Sequence, residues 1–387
     1  VADEPSNPAL RGKRLYLFSS NAQPLYAQNV LNSIAAPRGH VQTARYGAEW
    51  LNEEAREHWS RMAGLPVLLH FCLLHTSEYF EPAFFPVRCG RVVNADTDGD
   101  YFFVDIERGE DVSLRWSPDE AAEPVRDAQR FLPALDDYRN FLATREIQRP
   151  YDGSATLAED FLPDAGGLFA TGRDVDHFRR NAEFLARTES FADALFLKFL
   201  RVKETGSDKS IDYAAGEDGR PRFRLKGGTA HVIQFFSYQP RGLDSVISFT
   251  ATVGDDAAVR IVGTGRVELA SKFDRPELVL QTGRPSGGQT LVTTLAIDPP
   301  DGVMGPHVNL LLEVSPAGRD RLLNLLGPLA VLLPIAAATF VADTVPKLAL
   351  VAIGIVFAVV LQWFGVTTAP LISPTTAAAR PAPPPER

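Results

Sequence analysis

Oxygen-bearing side chains alternate through Asn94-Ala95-Asp96-Thr97-Asp98-Gly99-Asp100, and Asp105 falls at the twelfth position counted from Asn94. Oxygen ligands at positions one, three, five and twelve, with glycine at six, match the spacing of a calcium-binding loop. Asn94, Asp96, Asp98, Asp100 and Asp105 are therefore candidate calcium ligands. Two features favour a plainer role. The twelfth position holds aspartate, whose arm is too short for easy bidentate contact, and the flanks read as strands where that loop needs helices. Asp98-Gly99 is also a hairpin-turn pair, so an acidic turn between two strands is the competing reading.

His70-Phe71-Cys72-Leu73-Leu74-His75 contains zinc-ligand residue types, but on a strand His70 and Cys72 share one face and His75 takes the other. A partly buried strand with hydrogen-bonded histidines fits better. In Arg222-Phe223-Arg224-Leu225-Lys226 the alternation puts three basic side chains on one strand face. Arg222, Arg224 and Lys226, with Arg201 and Lys203 upstream, are candidates for binding an anion or lipid head groups. The alternative is a solvated strand face that discourages edge pairing. The pairs Gly166-Gly167, Gly227-Gly228 and Gly287-Gly288 lack a phosphate-loop lysine and read as turns. No nucleophile-elbow, zinc-protease or kinase motif is present, so no catalytic residue is assigned, and no cofactor beyond calcium is suggested.

The elements that would position these residues divide the chain. Residues 1–13 read as a disordered start, and 14–117 as a mixed α+β domain with strands at Leu15–Phe18, His40–Tyr46, Pro66–Leu74, Phe84–Val93 and Tyr101–Ile106. Asn52 is placed to cap a short helix that has Glu53 and Glu54 in its first turn. Residues 118–193 read as a helical junction, with amphipathic spacing over Ala128–Glu146 and Asp176–Ala194. Across 194–318, short apolar runs separated by glycine and proline turns predict an all-β sandwich-like domain.

The C-terminal region, 319–366, reads as a two-span transmembrane hairpin. Leu322–Ala342 and Leu348–Phe364 carry no charge, and roughly 20 apolar helical residues cross a bilayer. Gly327, Pro328, Pro334 and Gly354 are candidates for kinking or packing these helices. Residues 367–387 read as a disordered, proline-rich tail. The opening residues do not have the pattern of a signal peptide, which leads to the expectation of an inner-membrane, multi-pass protein with both termini cytoplasmic.

The chain has 387 residues, 45% hydrophobic and 22% charged, with net charge -9. Five basic and three acidic residues lie from Arg319 onward, so the part before it is more acidic still. That balance excludes a nucleic-acid binder that relies on general phosphate attraction. Two cysteines without paired spacing fit free thiols. The function expected is a non-enzymatic, membrane-tethered sensor or effector, as in bacterial stress or antiviral responses, which perturbs the membrane on clustering. Its partners would be the lipid bilayer and a protein partner or further copies of itself. Alternatives are a membrane-bound enzyme with a dispersed site in the N-terminal domain, and a passive membrane scaffold.

Overall fold

The computed structural model describes residues 8–20, 24–73, 83–115, 140, 154–165, 167–173, 175–216, 220–240, 246–285, 289–316, 346, 349–353 and 355–356. A first sheet contains β1 (Lys13–Ser20), β2 (Val41–Gly47), β3 (Pro66–Leu73), β4 (Ala83–Asp98), β5 (Tyr101–Leu114), β6 (Ala155–Glu159) and β7 (Phe169–Gly172). Its order is β2-β5-β4-β3-β1-β6, with β7 pairing on the end of β5 that β2 leaves. Only β1 and β3 run parallel within it; the remaining pairs are antiparallel. Leu15, Tyr16 and Leu17 are buried in succession. Such a run means that both faces of the strand are covered.

Two six-stranded sheets follow. One holds β8 (Phe196–Glu204), β9 (Ser210–Ile211), β12 (Ala230–Tyr238), β14 (Val259–Val262), β16 (Phe273–Asp274) and β17 (Glu277–Thr282). The other holds β10 (Tyr213–Ala215), β11 (Pro221–Lys226), β13 (Ile247–Val253), β15 (Arg266–Leu269), β18 (Leu291–Asp298) and β19 (Val308–Ser315). Their facing side chains, among them Phe199, Ile233, Phe235 and Leu280 against Phe223, Phe249, Leu295 and Leu312, form one apolar core. Two sheets facing across one core make a sandwich-like arrangement. The apolar stretch from Ala258 to Leu269 divides into β14 and β15, which belong to different sheets. Gly263 and Gly265, at φ of 101° and 68°, provide the backbone freedom for that crossing.

Among the described residues, the α-helices that accompany the sheets are α1 (Pro24–Ala35), α2 (Glu53–His58) and α3 (Val175–Leu185). Asn52 caps α2 as its position predicts, its side chain accepting from the Ala55 N–H at 3.0 Å. α1 packs on β1 and β4 from one side and β8 from the other, while α3 lies among β5, β7 and β12. α1 and α3 therefore lie between the first sheet and the sandwich, while α2 packs on β6. Phe196, Phe236 and Tyr238, on sandwich strands, belong to the core of the first sheet, and Ala35 of α1 belongs to the core of the sandwich. The first sheet and the sandwich form one compact unit.

Several expectations need correcting. The region read as a helical junction supplies β6 and β7 to the first sheet, with α3 following; the helix expected over Ala128–Glu146 lies outside the described residues except for Asn140. The transmembrane hairpin is not supported, because no helix among the described residues is long and apolar enough to cross a membrane. The first apolar run, Leu322–Ala342, lies outside the described residues, as do Gly327, Pro328, Pro334, Gly354 and the tail 367–387. Of the second run, only 349–353 and 355–356 are described. The inner-membrane, multi-pass location and the bilayer partner rested on that hairpin and are withdrawn with it. Hydropathy measures how apolar a run is, not how long a helix it makes.

The seam between the first sheet and the sandwich depends on Gly39. Its φ is 81°, and a Cβ there would stand 2.6 Å from the Tyr213 carbonyl oxygen on β10. Gly39→Ala is therefore expected to cost at least about 1–2 kcal/mol from the left-handed backbone alone, with the backbone clash adding to it. A lowered urea midpoint with an unchanged m-value would confirm this, and an unchanged midpoint would refute it.

Candidate functional site

Charged and polar side chains gather in the layer where helices, first sheet and sandwich meet. Lys198 on β8 pairs with Asp111 on β5, with 8% and 2% of the side chains exposed. Burial pushes the Lys198 ammonium below its ordinary value, and the Asp111 carboxylate opposes that shift. Two buried ions each cost several kcal/mol of lost hydration, which their attraction and further hydrogen bonds must offset. Asp111 Oδ1 has no hydrogen-bond partner, so the offset is incomplete on that side.

Arg88 on β4 sits nearby and is buried. Its Nη1 donates to the carbonyls of Ser33 and Ala36, the latter at 2.6 Å, while Nε and Nη2 donate to the Gly109 carbonyl at 3.2 and 3.1 Å. The first two acceptors are at the C-terminal end of α1, where carbonyls lack helical partners and the dipole is negative. Asn181 on α3 donates to the carbonyls of Val87 and Val112 at 3.2 and 2.8 Å. Both helices are thus fastened to β4 and β5 by buried polar side chains.

Ser113 and His177 form a second pair, with Oγ 2.8 Å from Nδ1. Gly172 makes room for the ring, since a Cβ there would lie 2.5 Å from His177 Nε2. Nucleophile and base within hydrogen-bond reach is the geometry of a catalytic dyad. Ser113, however, is 0% exposed, so this pair joins β5 to α3 and presents no nucleophile to solvent.

The residues singled out from sequence are dispersed. Asn94, Asp96 and Asp98 lie along β4, Asp100 in the turn and Asp105 on β5 opposite Asn94. Asp96 accepts from the Thr97 N–H at 2.8 Å and Asp105 from the Thr43 hydroxyl at 2.5 Å. Among the described residues no group of three or more His, Cys, Asp or Glu is placed to hold a metal ion. The calcium ligands are thus spread along a hairpin whose turn residue, Gly99, has φ of 58°. Arg222, Arg224 and Lys226 alternate along β11 with the core residues Phe223 and Leu225, Arg222 being buried and the other two exposed. The parallel strand β19 brings Glu313 within 3.3 Å of Arg222 and 3.7 Å of Arg224, and Glu204 lies 3.5 Å from Lys226. Each of the three cations thus has a carboxylate of the sandwich beside it, Glu313 serving two of them.

His70 is buried on β3 against the rings of Tyr16 and Phe18, at centroid distances of 5.9 and 4.9 Å. Burial pushes its imidazole down to about 3. Cys72 and Cys89 are free, and burial raises both thiols, Cys72 to about 12, which makes them poor nucleophiles. His75 lies outside the described residues. Sequence reading missed Arg88, Arg108, Asp111, Asn181 and Lys198. The available signal was a charge in the interior of an apolar strand, as in Phe196-Leu197-Lys198-Phe199-Leu200.

No family model and no curated protein matches the chain. Among solved structures, the crystal structure of the cupredoxin domain of amoB from Nitrosocaldus yellowstonii is similar at 8% identity, over 32% of this chain and 90% of that one, with a TM-score of 0.17. A likeness that low carries no argument about fold, copper or activity.

Two measurements test the layer. Lys198→Met or Asp111→Leu alone should cost about 3–5 kcal/mol by leaving the other charge buried and unpaired, whereas the double variant should recover most of the loss. Additive losses in the double-mutant cycle would contradict the pairing. For His70 the folded value lies below the unfolded 6.5, so its contribution is complete above pH 6.5 and is lost as pH falls toward 3. Between pH 6.5 and 4 that loss is on the order of 3 kcal/mol. His70→Phe should remove about one proton from the acid slope of stability, and an unaltered slope would show His70 to be uninvolved.

Proposed function

We propose that this protein is a non-enzymatic sensor, in which recognition at the first sheet or the sandwich is transmitted through the helical layer between them. The observation that supports this is the buried Lys198–Asp111 pair joining β8 to β5. An apolar contact would hold these surfaces together as well or better. A buried ion pair instead makes their relative placement specific, and its energy depends steeply on small displacements because the charges are shielded from water. Polar fastening of α1 by Arg88 and of α3 by Asn181 connects the same elements. The broader expectation of an effector that disturbs membranes depended on the hairpin and is not carried forward.

A second reading, an enzyme, would have to use the Ser113–His177 contact despite the burial of Ser113. The two readings separate on one set of variants assayed for the phenotype that the wild-type chain produces when expressed with its genomic neighbours. Asp111→Leu with Lys198→Met, shown to be folded, should abolish the phenotype, while Ser113→Ala should leave it intact. Loss of the phenotype with folded Ser113→Ala, together with covalent labelling of Ser113 by a fluorophosphonate, would replace the sensor with a hydrolase.

A further inference from the structure

Arg108 lies where β2 and β5 of the first sheet meet β10 of the sandwich. Its backbone extends the ladder beyond Val41 and Glu107, donating to His40 O and accepting from Gly39 N, both at 2.8 Å. The side chain is 2% exposed. Nη2 donates to Gln42 Oε1 at 2.6 Å, but Nε and Nη1 are buried and have no hydrogen-bond partner. A buried guanidinium left in this state is costly, and native structures rarely retain one without a reason.

The surroundings do not supply the missing charge. The ionisable groups acting on Arg108 are Arg88, which is cationic, and Tyr46, which burial keeps protonated. Arg88 is committed to backbone carbonyls. Across the seam the Tyr213 hydroxyl stands 3.4 Å from His40 Nδ1. Burial, with Arg108 and Arg88 beside it, lowers the His40 imidazole to about 4, so the ring is neutral near pH 7. A neutral ring that accepts from Tyr213 at Nδ1 carries its proton on Nε2. The seam thus holds an unpaired cation, a second donor and a hydroxyl, bordered by the partly exposed His40, Gln42 and Tyr213.

We propose that this seam binds a small oxyanion, a phosphate or carboxylate group, with Arg108 as its counter-ion, the His40 Nε2–H and the Gln42 amide as further donors, and the Tyr213 hydroxyl holding the His40 ring in place. Such a ligand satisfies the orphaned nitrogens and touches both the first sheet and the sandwich. It would be the signal of the proposed sensor, and in that consequence alone the inference rests on the sensor reading.

Thermal melting of the full chain in sodium phosphate, sodium acetate and sodium chloride at matched ionic strength tests the site. A saturable rise in melting temperature with phosphate or acetate, beyond that in chloride, is expected by mass action; which of the two acts identifies the oxyanion. Arg108→Met should remove the anion-specific rise and, lacking the uncompensated charge, melt no lower than wild type without anion. Arg224→Ala with Lys226→Ala should keep the rise, since both side chains already have a carboxylate partner, Glu313 or Glu204. An equal rise in chloride, or one retained in Arg108→Met, overturns the proposal. If Arg108→Met does not fold, the lost role is structural and the proposal stands only if Gln42→Leu and Tyr213→Phe each weaken anion affinity several-fold. Anion binding that persists while the Asp111 and Lys198 variants keep the cellular phenotype would reject the sensor reading and leave the site intact.

Discussion

A stretch of sheet that is covered on both faces has no side left for water, and residues 196–199 of β8 with 235–238 of β12 are in that position. One face supplies Phe199, Ile233 and Phe235 to the sandwich core, and the other sends Phe196, Phe236 and Tyr238 into the core beneath the helices. Every polar group on those strands must then find a partner inside the protein. The placement of α1 and α3, the ion pair and the closeness of first sheet and sandwich all follow from this requirement. If the β8 sheet had one wet face, the two halves could be independent domains on a linker.

The helical layer is correspondingly unusual in its polarity. Helices between two sheets are commonly held by apolar packing, and here Phe178 against Phe236 and Phe71 against Phe191 provide it. Arg88, Asn181 and the Lys198–Asp111 pair add directional contacts to specific carbonyls and oxygens. Apolar contacts tolerate sliding, whereas these do not. The layer is therefore fixed in register as well as held together.

Much of the fold was legible because its signals are local. Alternation in Arg222–Lys226, the Asp98-Gly99 turn, the Asn52 cap and the amphipathic spacing of α3 each reflect a preference spanning a few residues. What escaped depends on distance. Strands β6 and β7 sit in a stretch dominated by helical spacing, and only their pairing with β1 and β5 makes them strands. The two long apolar runs near the C-terminus read as membrane spans on hydropathy alone, and no helix among the described residues is long and apolar enough to be one. The charged layer was hidden for the same reason: Lys198 and Asp111 are far apart in sequence, and each alone looks like an ordinary surface residue misplaced in a strand. The calcium spacing shows the converse limit, since ligand spacing is local whereas convergence on one ion is not.

The position of β19 bears on how the protein is made. It lies between β11 and β18 in its sheet, parallel to the former and antiparallel to the latter, yet it follows every other described strand in the chain. Until Val308–Ser315 has emerged, β10 and β11 cannot join β18, β13 and β15, and one half of the sandwich is two fragments with open edges. Pairings that distant close slowly and leave apolar edges exposed in the interval. A ribosome that stalls or terminates shortly before Val308 therefore releases a chain with most of its sequence and an unsealed core, vulnerable to aggregation and proteolysis. Quality control during synthesis, more than the finished protein's equilibrium stability, is where the burden of this topology falls.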